Sequence, residues 1–351
     1  MFRRDQPIAR EPRGDSSVRA SLIGVILWVG LVWATEAEGS EPTALGQLAA
    51  SMKAGTWSEL TTQGYGNHLL SAQHSDILDY ADVAVWDPGS QQVLFLGQGH
   101  YAALRFITYS AADNSWREMP TPPWWKGDPR TGEGAIGHAY DNNAIDPVRG
   151  VFYFHQSATP LVYRYLIARQ EWSALPGIPG AQLLHGTALV YHPDMKGLLR
   201  VVGGTVHFYS DAKNSWSVLA DRLPMGRIHN IATYNAARRV AIIGGGNDSR
   251  DLYEIDARGK ITKLPDAPCV VRVSSTVVSV DPVSGDVLVL NKEGGKKFFG
   301  LDMQRREWRI LAEPPISEGA AASIGGYGVS LFFSAHPSKV YLYKHTTSPA
   351  P

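Results

Sequence analysis

The feature that most constrains this chain is a tryptophan-centred segment that keeps returning along it. N-S-W-R-E-M-P at Trp116, Q-E-W-S-A-L-P at Trp172, N-S-W-S-V-L-A at Trp216, G-K-I-T-K-L-P at Ile261 and R-E-W-R-I-L-A at Trp308 follow one another at spacings of 56, 44, 45 and 47 residues. Each follows a short aromatic strand, such as F-I-T-Y-S, V-Y-R-Y-L or V-H-F-Y-S. Upstream of that lies a second strand, such as V-L-F-L-G-Q-G or V-A-I-I-G-G-G, and upstream again a third that ends in a turn at Asp87, Asp146, His192, Asn235 or Asp281. A period of this length marks a supersecondary unit that must stack on copies of itself to bury its apolar face. Four short strands separated by Gly, Pro, Asp and Asn turns make one antiparallel propeller blade, with strands a to d running from the axis outward.

A sixth unit opens at A-A-A-S-I-G-G-Y, continues through V-S-L-F-F and K-V-Y-L-Y, and then the sequence ends without a tryptophan strand. The missing strand is at the other end, where Ala54-Gly55-Thr56-Trp57-Ser58-Glu59-Leu60 matches the d pattern but precedes the first complete a strand. The expectation is an all-β, six-bladed propeller over residues 54–348, its last blade closed by an N-terminal strand. Joining both termini in one sheet removes open edges that invite aggregation. Residues 38–53 read as a short helical lead-in, with the helix over Thr43 to Met52.

The first residues read as an address. Five arginines lead into the apolar run from Ser21 to Ala34, which ends in small residues, the order of a secretory signal peptide over residues 1–37 cleaved after Ala34 or Ala37. Fourteen apolar residues fall short of the roughly 20 that a spanning helix needs. The mature chain is expected to be secreted or periplasmic and monomeric, with no stable membrane span. Lys+Arg and Asp+Glu both number 33, so the chain has no electrostatic footprint for nucleic acid. Cys269 is the one cysteine, which excludes an intramolecular disulfide and a cysteine-based zinc site.

The glycine doublets Gly203-Gly204 and Gly244-Gly245, the tyrosine near the end of strand c and the spaced tryptophan resemble kelch repeats, the superfamily that includes the galactose oxidase central domain. G-T-W-S-E-L, V-W-D-P and G-Q-G-H-Y resemble a group of secreted bacterial kelch proteins in particular. The resemblance implies a propeller, but propellers host enzymes, receptors and scaffolds alike.

Meander topology sorts the histidines. The a–b and c–d turns lie on one face of the ring, and the b–c and d–a loops on the other. The second face is expected to carry His68, His74, His100, His138, His155, His185, His229 and His336, leaving His192, His207 and His345 elsewhere. Because strand a lines the axis, His138, His185, Arg227 with His229, and Arg272 should ring the mouth of the central channel, with His100 nearby. Trp124 and Trp125, in the longest d–a loop, read either as a stacking platform for a sugar ring or as a packed flap. On a regular strand, His138 and Tyr140 would point the same way. Asp82, Asp141, Thr187, Asn230 and Thr276 share one register, five residues before the a–b turn, and read as polar groups hydrogen-bonded around the channel.

A His and Tyr pair beside arginine suits proton transfer next to a carboxylate, the arginine neutralising the acid. Catalytic roles are therefore assigned to His138, Tyr140 and Arg227, and substrate binding to His100, Trp124, Trp125, His185, His229 and Arg272. The function so read is carbohydrate binding or processing, in its sharper form a lyase or an epimerase or mutarotase on acidic glycans. The alternative is a non-catalytic glycan- or protein-binding module. No cofactor is required, although three converging histidines would suffice to bind zinc. Copper oxidation of the galactose oxidase kind would need a Tyr–Cys cross-link, and no pattern picks out a partner for Cys269.

Overall fold

Four of the six a–b turns are built by an Asp or Asn at or just past the end of strand a. The carboxylate of Asp87 accepts hydrogen bonds from the amide of Ser90, that of Asp146 from Val148 and Arg149, and that of Asp281 from Ser284, while the side-chain oxygen of Asn235 accepts from Arg238. An Asx side chain that mimics the backbone in this way, usually with proline next, is why the chain reverses here rather than continuing as a strand. In the computed structural model, which describes residues 43–70, 75–99, 103–127, 138–180, 184–293 and 295–346, the result is six four-stranded antiparallel sheets. The expected signal segment lies outside those residues.

The sheets are the six blades of a β-propeller. Their a strands are Val85–Asp87, Asn143–Asp146, Ala188–His192, Asn230–Asn235, Thr276–Val280 and Ala320–Ile324. In the third blade the b and c strands, Gly197–Val202 and Thr205–Ser210, are joined by Gly203 and Gly204 alone. Both adopt φ > 0, at 53° and 88°, the tight hairpin that glycine makes at no steric cost.

The sixth sheet has the order d, c, b, a with Thr56–Glu59 as its outer strand, paired with Ser338–Lys344 in a register that sets Trp57 opposite Tyr343. The tryptophans explain why the ring holds. Trp216 Nε1 donates to the carbonyl of Pro176 at 2.9 Å, and Trp308 Nε1 to that of Pro265 at 3.2 Å. In each case the acceptor lies just past strand d of the preceding blade, so each bond clasps two neighbours. Trp57 obeys the same rule, donating to Ala312 just past strand d of the fifth blade. Its ring also packs on Phe298, Phe332 and Tyr343 at 4.7–5.1 Å. The lead-in helix is Ala44–Ser51, capped by the Thr43 hydroxyl, which accepts from the Gly46 amide.

Candidate functional site

Between one and five residues before strand a, each of the six blades has a residue with left-handed backbone: Tyr80, Tyr140, Gly186, His229, Ser274 and Gly319, with φ between 54° and 128°. For a residue with a Cβ this costs on the order of 1–2 kcal/mol. Left-handed backbone also occurs in the tight a–b and c–d turns, at Gln91 and Asn114 for example, and at the d–a entries it recurs in every blade. It turns the Tyr80, Tyr140 and His229 side chains over the channel instead of along a strand. The geometry of a regular strand, which would have placed His138 and Tyr140 on one face, does not apply, because strand a of that blade begins only at Asn143. The two rings meet all the same, with centroids 5.5 Å apart.

Five rings from the entries of four blades converge. Tyr80 lies 4.4 Å from His138, 5.3 Å from His229 and 6.3 Å from Tyr140. Tyr140 lies 5.7 Å from His229 and 6.4 Å from His185. Gly186 makes the approach possible, because a Cβ there would sit 2.4 Å from the His229 amide nitrogen. His138 and Tyr140 are buried, Tyr80 and His229 half-buried, and His185 exposed, so the cluster grades from the interior to solvent.

Burial, with Tyr80 and Asp79 close by, pushes the Tyr140 phenol up to about 12, so it holds its proton at neutral pH and can donate it. His229 is lowered, chiefly by burial and further by the charges of Arg272 and His185, against an opposing hydrogen bond to Asn247. That bond joins His229 Nδ1 to Asn247 Oδ1 at 2.7 Å. With the amide oxygen as acceptor, Nδ1 carries the proton and Nε2 keeps its lone pair, which makes His229 a neutral imidazole set up as a base.

The two arginines differ. Arg272 is pinned by Ser275 Oγ at 2.6 Å and paired with Glu293 at 2.8 Å. Arg227, two residues before His229, is exposed, and its guanidinium makes no hydrogen bond or ion pair among the described residues. His100 lies outside the described residues. Trp124 stacks on Tyr163, with centroids 4.2 Å apart and planes 7° from parallel, and together with Trp125 it walls a cleft of about 210 Å3 that ends at His138.

Below the rings the channel is polar and closed. Asp82, Asp141, Thr187, Asn230 and Thr276 are all buried. Lys292 of the fifth blade reaches across to Asp82 of the first, which also accepts from the Ser274 amide. Asp141 Oδ1 accepts from the Asp82 amide, and burial together with the Asp82 charge holds its carboxyl well above the usual carboxylate range. Thr187 donates to Asn142, and Asn230 Oδ1 accepts from the Gly203 amide of the neighbouring blade.

The remaining histidines separate. His155 is fully buried between Thr187 and the Thr159 carbonyl, and burial lowers it to about 3, so it is a neutral structural group and not part of the open face. His192 is also buried, bonded to the Ile255 carbonyl at the a–b end. His138, His185 and His229 do not converge as metal ligands. The one group of three such side chains among the described residues is Asp76, Glu318 and His336. Sequence reasoning missed Tyr80, Asn247 and Lys292. Tyr80 had a signal, since a tyrosine stands within two residues of the buried channel aspartate in both the first and second blades.

No family model matches the chain, and no curated protein matches its sequence. Solved structures resemble it in fold. A protein of unknown function from Bacteroides thetaiotaomicron superposes with a TM-score of 0.56 at 12% identity, over 82% of this chain and 75% of that one. A chain of a nidogen/laminin complex superposes with a TM-score of 0.51 at 10% identity, over 73% and 89%. At these identities the likeness shows the six-bladed propeller fold alone.

Proposed function

We propose that the chain binds an acidic sugar at the axial mouth lined by Tyr80, His138, Tyr140, His185 and His229, and that Arg227 takes its carboxylate. The observation that carries this reading is the convergence of five rings from four blades, three of them on left-handed backbone, together with Arg227, which has no counterion among the described residues. Ring faces suit the apolar faces of a pyranose, and a guanidinium suits a carboxylate. Arg272, already matched by Glu293, is a weaker anion partner than Arg227.

In the sharper reading the site processes what it binds. A lyase or an epimerase of acidic glycans begins by removing the proton on the carbon next to the carboxylate. His229 Nε2 is the acceptor for that proton, and its Asn247 contact stabilises the imidazolium that results. In elimination the C–H electron pair becomes a carbon–carbon double bond, the glycosidic C–O bond breaks, and the departing oxygen takes the Tyr140 proton. His138 and Tyr80 hold Tyr140 in place. In this reading the proton transfer expected of His138 and Tyr140 falls to His229 and Tyr140 within the same cluster.

Calorimetric titration with uronic-acid oligosaccharides, run alongside an absorbance assay for the unsaturated product, tests both levels. Binding without product supports the non-catalytic alternative, product lost in Tyr140→Phe and His229→Ala supports the enzyme, and no binding of any acidic glycan removes the proposal.

A further inference from the structure

We infer that Asp76, Glu318 and His336 form a binding site for a divalent transition-metal ion such as zinc, one that clips the entry of the first blade to the sixth. The three residues come from separate stretches of chain: the segment leading to Tyr80, the second residue before the sixth a strand, and the b–c turn of the sixth blade. One potential ligand atom from each lies within 4.8 Å of the others. His336 Nε2 stands 3.9 Å from Asp76 Oδ2, within the roughly 4 Å that two ligands bonded at 2.0–2.2 Å can span.

The donor set of one imidazole and two carboxylates selects the ion. Calcium and magnesium favour all-oxygen sites, whereas imidazole with carboxylate suits zinc and its first-row neighbours. The charge balance points the same way. The two carboxylates lie together, and among the described residues no lysine or arginine forms an ion pair with either, while His336 stands beside Asp76. Each carboxylate keeps one oxygen occupied by a backbone amide, Asp76 Oδ1 by Leu78 and Glu318 Oε1 by His336, which leaves the other oxygen for the ion. Asp76 is four residues before Tyr80, so a bound ion would fix the segment that carries Tyr80 over the channel. The site is distinct from the ring cluster at the axis and does not depend on what that cluster binds.

The test uses the full protein, stripped with a chelator and titrated with zinc chloride in the absence of any glycan, with metal content read by mass spectrometry after dialysis. One equivalent is expected to remain, and His336→Gln and Glu318→Gln should each weaken binding at least tenfold. His336 is 73% exposed, so His336→Gln leaves the fold intact and carries the decision if Asp76→Asn perturbs its turn. Zinc should also raise the melting temperature of the wild type and not that of the triple variant Asp76→Asn/Glu318→Gln/His336→Gln, since an ion bound only to the native state must stabilise it. Equal zinc binding by the wild type and the triple variant, or none by the wild type, overturns the assignment.

Discussion

The two ends of the central channel are built from the same six strands and are chemically opposite. At the a–b end, Val83, Trp86, Pro147, Tyr191 and Tyr234 line an apolar funnel of about 320 Å3. Its walls are regular strand residues and the prolines of the turns, and its tyrosine hydroxyls are already committed, Tyr191 to Asp211 and Tyr234 to Asp194. At the other end the rings come from residues before the strands, three of the five on left-handed backbone, with Arg227 and Arg272 also on entry segments. Regular strand alternation yields a surface that packs, whereas reactive groups are placed by the irregular entry segments. Loops set on a rigid scaffold commonly carry function in this way.

Both ends presuppose a closed ring, so the largest effect is expected from opening it. A chain beginning after Leu60 lacks the outer strand of the sixth blade, its pairing with Ser338–Lys344 and the Trp57 clasp. It should aggregate or melt far below the full chain in a thermal scan. An unchanged melting temperature would mean that the N-terminal strand does not close the ring.

Acid should weaken the protein partly through the loop-bearing end. His155 has a folded pKa of about 3 against the ordinary 6.5, so the unfolded chain binds the proton first. Its contribution is complete above pH 6.5 and is lost as pH falls toward 3, on the order of 5 kcal/mol at the limit. Urea midpoints between pH 7 and 4 should fall less steeply in His155→Gln than in the wild type. Parallel slopes would remove His155 from the account.

Arg227→Ala should weaken binding of an acidic oligosaccharide by about 1.5–3 kcal/mol, roughly tenfold to a hundredfold, with little change in melting temperature. The smallest effect belongs to the funnel. Tyr234→Phe deletes one hydrogen bond to Asp194, should lower stability by about 1 kcal/mol and should leave that affinity unchanged. If Tyr234→Phe cost as much affinity as Arg227→Ala, the two ends would have been assigned the wrong way round.

Blade number, the closing strand and the sorting of loops to faces were legible because they follow from the repeat and from meander topology. The tryptophan and the Asp-Pro turns had visible periods, and Trp57, Trp216 and Trp308 share the clasp while Asp87, Asp146 and Asp281 share the turn. The inner site was legible only in part. His138, Tyr140, His185 and His229 could be placed at the mouth from their position before strand a. Their mutual distances depend on left-handed φ values at Tyr80, Tyr140 and His229, and no periodicity encodes those. Lys292 reaches Asp82 across 210 residues of sequence, and the tie of His229 to Asn247 rests on how the entry segment of the fourth blade lies against that blade's own b–c loop. The choice of His229 over His138 as base follows from that contact and was beyond the sequence.

The central claim is that the end with the rings, and not the funnel, is where a ligand sits. Crystals soaked with a short uronic-acid oligosaccharide would decide it. The account predicts a sugar ring between Tyr80, Tyr140 and His229 with its carboxylate on Arg227. Sugar density in the funnel against Trp86 and Tyr234, with the ring cluster unoccupied, would contradict it.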